Sequence, residues 1–362
     1  MIRILHGADL HLDSPFSGLP PQLARERRQE RRDLPDRLAN LVREREIQLV
    51  LLSGDLFDGE RIYPETLERL TAALERMACP VFIAPGNHDY YRPGGVYART
   101  VWPDNVHIFT EEGIQSVELP QLNAVVYGAA FTGPKRLESP LAAFAAPIDG
   151  RLHLMVLHGD AVSANSPYGP IAPEEIAASG LDCLCLGHVH RRMTLDSGRT
   201  VCRYPGCPEG RGFDELGPCG VLVGQVEKGE QCWEFVPISR RRYEILEVDV
   251  TGQNPVEAME RALPERTAAD IYRIIFTGET GTQGVDLEAI RNTFQQRFYS
   301  LELRDQTRVA EDIWARAEDD SLRGLFLKRL RARYNTAATE EERQQVVLAV
   351  RFGLAALDGR DL

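Results

Sequence analysis

The chain has no apolar run near the roughly 20 residues that cross a bilayer. Its first residues also lack the basic, apolar and small-residue blocks of a secretory signal. Both absences predict a soluble globular protein that stays in the cytoplasm. A disulfide framework is missing too: seven cysteines is an odd number, and Cys183 and Cys185 fall inside an apolar strand-like run, which fits reduced thiols. Cys202, Cys207, Cys219 and Cys232 lack the paired C-x-x-C spacing of a zinc site. Internal repeats and low-complexity tracts are absent. Positive charge is scarce: the formal net charge is −12, and 16 basic against 19 acidic residues from Thr251 onward leave −9 to residues 1–250. A surface that attracts nucleic acid all over is thereby disfavoured, so any polyanion must be met by bound metal cations or a local basic face.

What is present is enough for a full core. With 362 residues and 43% hydrophobic content, the length predicts two or three domains. The first 200 residues alternate short β-branched runs with helical patterns, as strands joined by crossover helices do. Strands are expected at 2–8, 48–55, 80–86, 124–128, 152–158 and 182–188, and nearly all end in Gly, Asp, Asn or His. Ligands of open α/β sheets bind beyond such carboxyl ends. After Arg199, short strands at 200–204, 220–226 and 231–237 read as a second, antiparallel layer. The expected architecture is an α/β, two-sheet sandwich flanked by helices over residues 1–242, a small α/β cap over 243–307, and a helical region over 308–362. Within that last region, Thr339 followed by Glu342 resembles a capping box after the break "RYNTAATEEE".

The chemistry gathers at the strand ends. "GADLHLDSPF" follows the first strand with Asp9, His11 and Asp13; "SGDLFD" follows the second with Asp55 and Asp58; "PGNHDY" follows the third with Asn87, His88 and Asp89. "LHGD" then supplies His158, and "LGHVH" supplies His188 and His190. Five of the eight histidines lie in these motifs. Imidazole, carboxylate and amide oxygen are ligands that suit Mn²⁺, Fe²⁺, Zn²⁺ or Mg²⁺.

The ordered set D-x-H, G-D-x-x-D, G-N-H-D, H-G and G-H-x-H resembles the calcineurin-like metallophosphoesterase superfamily over about residues 4–190. Within it, the start "ILHGADLHLDSPFSGL", the cap-like unit and the helical tail are similar to the SbcD/Mre-type DNA repair nucleases, in particular their YhaO-type branch. The resemblance implies a two-metal site: Asp9, His11 and His190 on one ion, Asn87, His158 and His188 on the other, and Asp55 bridging. Such a pair clamps a phosphate and lowers the pKa of a shared water, so that hydroxide attacks phosphorus in line. His88 would stabilise the developing charge or protonate the leaving oxygen, and Asp89 would orient His88. The implied activity is a Mn²⁺-dependent phosphodiesterase on DNA, a 3′-to-5′ exonuclease with single-strand endonuclease action; a phosphatase or cyclic-nucleotide phosphodiesterase is the alternative. The implied partner is an SMC-type ATPase of the SbcC/Rad kind, held by the helices from Ser321 onward, and residues 62–77 are a candidate homodimer face.

Several residues keep two readings. Asp13 and Asp58 are either turn-shaping carboxylates or part of the site. His6 is either a hydrogen-bonded core histidine or a supporting group, whereas His107 and His153 read as ordinary strand residues. Tyr204 and Gly206 would bring backbone close to substrate, with Arg211 or Arg203 meeting a phosphate, while Glu209 and Asp214 make that loop less basic. Residues 24–46 hold eight Arg and six acidic residues. They form either a solvated helix laced with charge pairs or a phosphate-contacting face of Arg25, Arg27, Arg28, Arg31 and Arg32.

Overall fold

A computed structural model describes residues 1–59, 61–280, 284–309 and 313–357. Of the expected C-terminal region, residues 310–312 and 358–362 lie outside the described residues. Strands run in the order β1 (Ile2–Gly7), β2 (Leu49–Leu52), β3 (Val81–Ile83), β4 (Val106–Ile108), β5 (Gln115–Leu119) and β6 (Ala124–Gly128). They continue as β7 (Leu152–His158), β8 (Cys183–Gly187), β9 (Met193–Ser197), β10 (Thr200–Tyr204), β11 (Gly220–Glu227) and β12 (Glu230–Pro237). Two six-stranded sheets result, ordered β12-β11-β1-β2-β3-β4 and β5-β6-β7-β8-β10-β9.

The sandwich is there, but its layers are not divided at Arg199 as the sequence suggested. β11 pairs antiparallel with β1 in the first sheet, whereas β10 pairs parallel with β8 in the second. Each sheet is therefore mixed: the second has a parallel centre and two antiparallel edges, and the first is antiparallel at its β12-β11-β1 side and parallel from β1 through β4. Long-range pairing decided this, and no local pattern records which earlier strand a later one will join.

The alternation of side chains along each strand sorts them into three apolar layers. Ile4, Leu51, Phe82, Val126, Leu154 and Cys185 pack between the sheets. Leu5, Val50, Leu52 and Ile83 face outward against helices α2 (Leu34–Glu44) and α3 (Pro64–Arg76), which follow α1 (Pro21–Arg32) in the chain. On the other outer face, Tyr127, Met155, Leu157 and Leu186 pack with Ile176 and Leu181. Because both faces of β1, β2, β7 and β8 are covered, those strands read as nearly unbroken apolar runs.

The charged segment 24–46 is two helices, not one. Helix α1 ends at Asp33, and α2 starts at Leu34-Pro35, where proline's missing N–H costs nothing at the first turn. Helix α2 buries Leu34, Leu38, Leu41 and Val42 at helical spacing. Helix α1 has no apolar stripe and buries Ala24, Arg27, Glu30 and Arg31 instead. Neither reading of this segment survives for Arg27 and Arg31, which are 1% and 0% exposed. They are not solvated, and they cannot reach a nucleic-acid backbone.

Further along, strands Tyr243–Asp249, Ile271–Thr277 and Ser300–Asp305 form a three-stranded sheet with Ile271–Thr277 central. By compactness the chain divides into one unit of Met1–Leu246, Pro264–Arg273 and Phe294–Glu302, and a second of Glu247–Leu263, Ile274–Thr293 and Leu303–Leu362. Within the second unit, helices Leu322–Thr336 and Glu340–Leu357 pack around Leu327 and Val350. The Thr339 hydroxyl accepts from the Glu342 N–H at 3.2 Å, and the Glu342 carboxylate accepts from the Thr339 N–H at 3.4 Å, as a capping box requires. Among the described residues, no helix is long and apolar enough to cross a membrane.

Candidate metal centre

The carboxyl ends of β1, β2, β3, β7 and β8 converge, and with them the strand-end motifs. Parallel pairing persists beyond the regular strands: the amides of Asp9, His11 and Leu12 donate to the carbonyls of Gly54, Asp55 and Leu56 at 2.8–3.0 Å. The backbone is strained where the functional side chains leave it. Asp9, His11, Asp55 and His188 have φ of 55°, 42°, 50° and 103°, left-handed values that non-glycine residues adopt at a cost and that cluster at active sites. Two glycines explain their own motifs. A Cβ on Gly86 would strike the Asp55 carboxylate, and one on Gly187 would strike the Ser53 carbonyl.

The inward-facing atoms form two adjoining groups. In one, His11 Nε2 and His190 Nε2 are 3.2 Å apart, with Asp9 Oδ1 3.8 Å from the latter and Asp55 Oδ2 3.8 Å from the former. In the other, His158 Nε2 lies 3.0 Å from Asn87 Oδ1 and 3.5 Å from the same Asp55 Oδ2. Asp55 thus stands between the groups. The His188 ring packs edge-on against His158, with centroids 5.4 Å apart, and its Nε2 is 3.9 Å from Asp160 Oδ2.

The hydrogen bonds behind the rings fix their tautomers. His158 Nδ1 is 2.9 Å from the Ser53 carbonyl, which only accepts, so this nitrogen carries the proton and Nε2 presents a lone pair. His11 Nδ1 faces Asp58 Oδ1 at 2.9 Å and His190 Nδ1 faces Glu215 Oε1 at 2.7 Å, with the same consequence. Lone pairs then confront each other across the 3.2 Å and 3.0 Å gaps. A divalent cation between the atoms relieves that repulsion, so this donor set fits divalent metal ions.

Electrostatics agree. Burial pushes His11 down to about 3 and His158 and His188 to about 4, which keeps the imidazoles neutral as metal ligands must be. Burial, with the Asp55 charge adding to it, lifts Asp9 to about 8, and burial lifts Asp55 as well. Burial disfavours the cation of His190, but its bond to Glu215 and the charge of Asp9 outweigh this and raise it. The metal-free cluster is short of positive charge.

His88 is exposed, its ring edge-on to His11 at 4.9 Å between centroids and its N–H donating to Asp55 Oδ1 at 2.9 Å. Asp89 does not orient it. The Asp89 carboxylate is buried and accepts from the amides of Asp55, Leu56, Phe57 and Gly86 and from the Tyr97 hydroxyl, at 2.6–3.2 Å. It staples the loop after β2 to the loop after β3. An Asp58 carboxylate oxygen lies within 4.8 Å of a ring nitrogen of His88.

Four further residues need correction. The Tyr204 side chain is 0% exposed, its hydroxyl donating to the Gly159 carbonyl and accepting from the Ala161 amide, so it braces the loop after His158 and does not face substrate. Gly206, at φ 78°, packs against the His190 to Arg192 backbone, where a Cβ would lie 2.8 Å from the His190 carbonyl. Every nitrogen of the Arg211 guanidinium is engaged by Asp58 or Glu215. Glu209, read from the sequence as making that loop less basic, is 0% exposed and receives Arg27 and Arg37.

His6 is a buried, hydrogen-bonded core group whose Nε2 meets the Ser53 hydroxyl at 2.9 Å. Asp13 shapes a turn by accepting from the Tyr63 amide and the Thr66 hydroxyl. Of the four spaced cysteines, Cys207 and Cys219 adjoin, at 3.7 Å between sulfurs. The sequence reading missed Glu215 and Ser53, which support His190 and His158. Glu215 lies in "GFDELG", a loop with no repeating signal, and only the fold brings it beneath His190.

The chain is 27% identical to the uncharacterized metallophosphoesterase YhaO of Bacillus subtilis, over 99% of this chain and 99% of that protein. It is also similar to the SbcD component of the SbcCD nuclease of the same organism, 26% identical over 66% of this chain and 70% of that protein. The corresponding component from Rhodobacter capsulatus is 24% identical over 74% of this chain and 78% of that protein. The sequence pattern of the calcineurin-like phosphoesterases matches residues 2–192, a stretch that holds every strand-end motif described above. With the two-sheet sandwich and the clustered Asp and His side chains, this match establishes that the chain belongs to the calcineurin-like phosphoesterase family.

Proposed function

We propose that this metallophosphoesterase is a Mn²⁺-dependent phosphodiesterase acting on DNA, a 3′-to-5′ exonuclease with single-strand endonuclease activity that works in repair beside an SMC-type ATPase. The observation that supports this most is the cavity next to the site. It measures about 650 Å³ and is lined by His190, Arg191, Arg192 and Phe235, with the Arg192 guanidinium 4.5 Å over the Phe235 ring. Arginine beside an aromatic face suits a phosphate with an unpaired base stacked next to it. Two relatives named as nuclease components point the same way.

Divalent ions held by Asp9, His11, Asp55, Asn87, His158, His188 and His190 would supply Lewis-acid charge and a water of lowered pKa. The chain's own contribution is positional. Asp55 stands between the two ligand groups, the carbonyl of Ser53 and the carboxylates of Asp58 and Glu215 aim the imidazoles, and exposed His88 delivers a proton to the leaving oxygen. Leu322 and Leu325 on one C-terminal helix and Leu348 and Phe352 on the other are 51–72% exposed. An apolar face of this kind supports docking of a partner's helices.

One observation favours a small phosphoester instead: Arg27 and Arg31 are buried, so a chain of net charge −12 loses two of its clustered cations as DNA contacts. The deciding experiment offers end-labelled double-stranded DNA, bis-p-nitrophenyl phosphate and p-nitrophenyl phosphate to the Mn²⁺-loaded protein, with His88→Ala as control. Shortening of DNA that vanishes in the variant supports the nuclease; turnover of the small esters with DNA intact refutes it.

A further inference from the structure

Two of the imidazoles in the metal centre are backed by carboxylates that lie on separate loops, and one arginine joins those carboxylates. We infer that Asp58, Arg211 and Glu215 form a clamp that locks His11 and His190 as Nδ1–H tautomers and aims both Nε2 atoms at one divalent ion. The inference rests on the two-metal reading above and assigns roles within it to residues outside the ligand set.

The geometry runs as a closed chain. His11 Nδ1 meets Asp58 Oδ1 at 2.9 Å; Arg211 donates to the same oxygen at 3.0 Å and, through Nε and a terminal nitrogen, to Glu215 Oε1 at 3.2 and 3.1 Å; Glu215 Oε1 meets His190 Nδ1 at 2.7 Å. The Arg211 amide closes the loop on Glu215 Oε2 at 2.6 Å. Arg211 also lies 3.1 Å from His190 Nδ1. A guanidinium only donates, so that contact and the shorter one to Glu215 cannot both be hydrogen bonds. The carboxylate takes the Nδ1 proton, which leaves Nε2 bare.

Arg211 therefore balances the charge of two carboxylates that would otherwise repel each other and the acidic ligands. A guanidinium held on both sides is a positioning residue and not a free phosphate contact. This differs from the ordinary expectation for an arginine on a substrate-side loop, and the two assignments separate by experiment.

The test uses the full chain stripped of metal with EDTA and titrated with Mn²⁺, followed by calorimetry and by the electron paramagnetic resonance of bound Mn²⁺. If the native chain takes up fewer than two ions, the two-metal reading itself fails. If it takes up two, Glu215→Ala is expected to weaken one of them about 10–100-fold and leave the other unchanged, with Glu215→Gln recovering part of the loss. Two native-affinity sites in Glu215→Ala overturn the clamp. Arg211→Met is expected to lower Mn²⁺ affinity while the KM for bis-p-nitrophenyl phosphate at saturating Mn²⁺ stays within about twofold; a raised KM with native metal affinity returns Arg211 to phosphate binding. A measurement on the native chain guards against misfolded variants: in the Zn²⁺-loaded protein, long-range ¹⁵N–¹H correlations should show both His11 and His190 protonated at Nδ1, and an Nε2–H on either one overturns the inference.

Discussion

Replacing Glu209 by glutamine should be among the most damaging conservative changes in the protein. Glu209 is 0% exposed, and its carboxylate accepts from both terminal nitrogens of Arg27 at 3.3 Å, from Arg37 at 2.9 Å and from the Arg240 amide at 2.8 Å. Its backbone carbonyl takes a further bond from Arg31 at 2.7 Å, and Arg31 in turn holds the Leu10 carbonyl, between Asp9 and His11, at 2.8 Å. Around this centre lie five guanidiniums, those of Arg27, Arg31, Arg37, Arg240 and Arg241, against two carboxylates, Glu30 and Glu209. Glutamine keeps one acceptor oxygen, turns an NH₂ toward donors, and leaves Arg27, itself 1% exposed, with Glu30 as its remaining anion. One lost bond to a charged group costs about 1.5–3 kcal/mol, and breaking a buried ion pair from one side costs about 3–5 kcal/mol in all. For a chain of this size that lowers Tm by on the order of 10 °C.

The assay is differential scanning fluorimetry with a urea titration, on Glu209→Gln and on the double variant Arg27→Met/Glu209→Leu. The double variant should recover much of the loss, because an apolar pair does not strand a charge. A drop under about 2 °C for Glu209→Gln would mean that water screens the network, and the buried-hub argument would be wrong.

Three other outcomes are expected. His88→Ala should retain Mn²⁺ and Tm, because the side chain is exposed, yet lose about 10²–10⁴-fold in kcat; Asp55→Ala should lose metal as well, and equal metal loss in the two, read by calorimetry, contradicts their assigned roles. Tyr97→Phe removes the 2.6 Å bond to the buried Asp89 carboxylate and should cost about 1.5–3 kcal/mol in urea titrations, with a change below about 0.5 kcal/mol refuting the staple. For the metal-free protein, His6, His11, His158 and His188 are held at about 3 to 4 against an ordinary 6.5. The unfolded chain therefore binds more protons below pH 6.5, and stability falls as pH drops, by up to about 2 kcal/mol per imidazole at pH 5. Asp9, held at about 8, acts in the opposite sense, and the stability it contributes is lost as pH rises through that value. Tm should peak between about pH 6 and 7, and metal should extend the plateau upward; a Tm that climbs steadily to pH 9 without metal would contradict this balance.

The sequence by itself determined which donor side chains stand at the strand ends. Metal chemistry needs imidazole and carboxylate at the ends of parallel strands, and the short motifs around Asp9, Asp55, Asn87, His158 and His190 carry both the chemistry and the glycines that let the loops close. It also determined the breaks at Leu34-Pro35 and at Thr339, since proline and capping residues act within one helical turn. The tertiary structure alone decided what surrounds those ligands. Which sheet β10 and β11 join, that Asp89 staples two loops and leaves His88 alone, that Glu215 stands under His190 and that a charged helix buries Arg27 and Arg31 all depend on partners 25 to 182 residues distant. A charged residue reads as solvated until its distant counter-charge is in place. Only folding brings Glu209 to Arg27, and burial then turns that pair from surface decoration into a support for the metal loop.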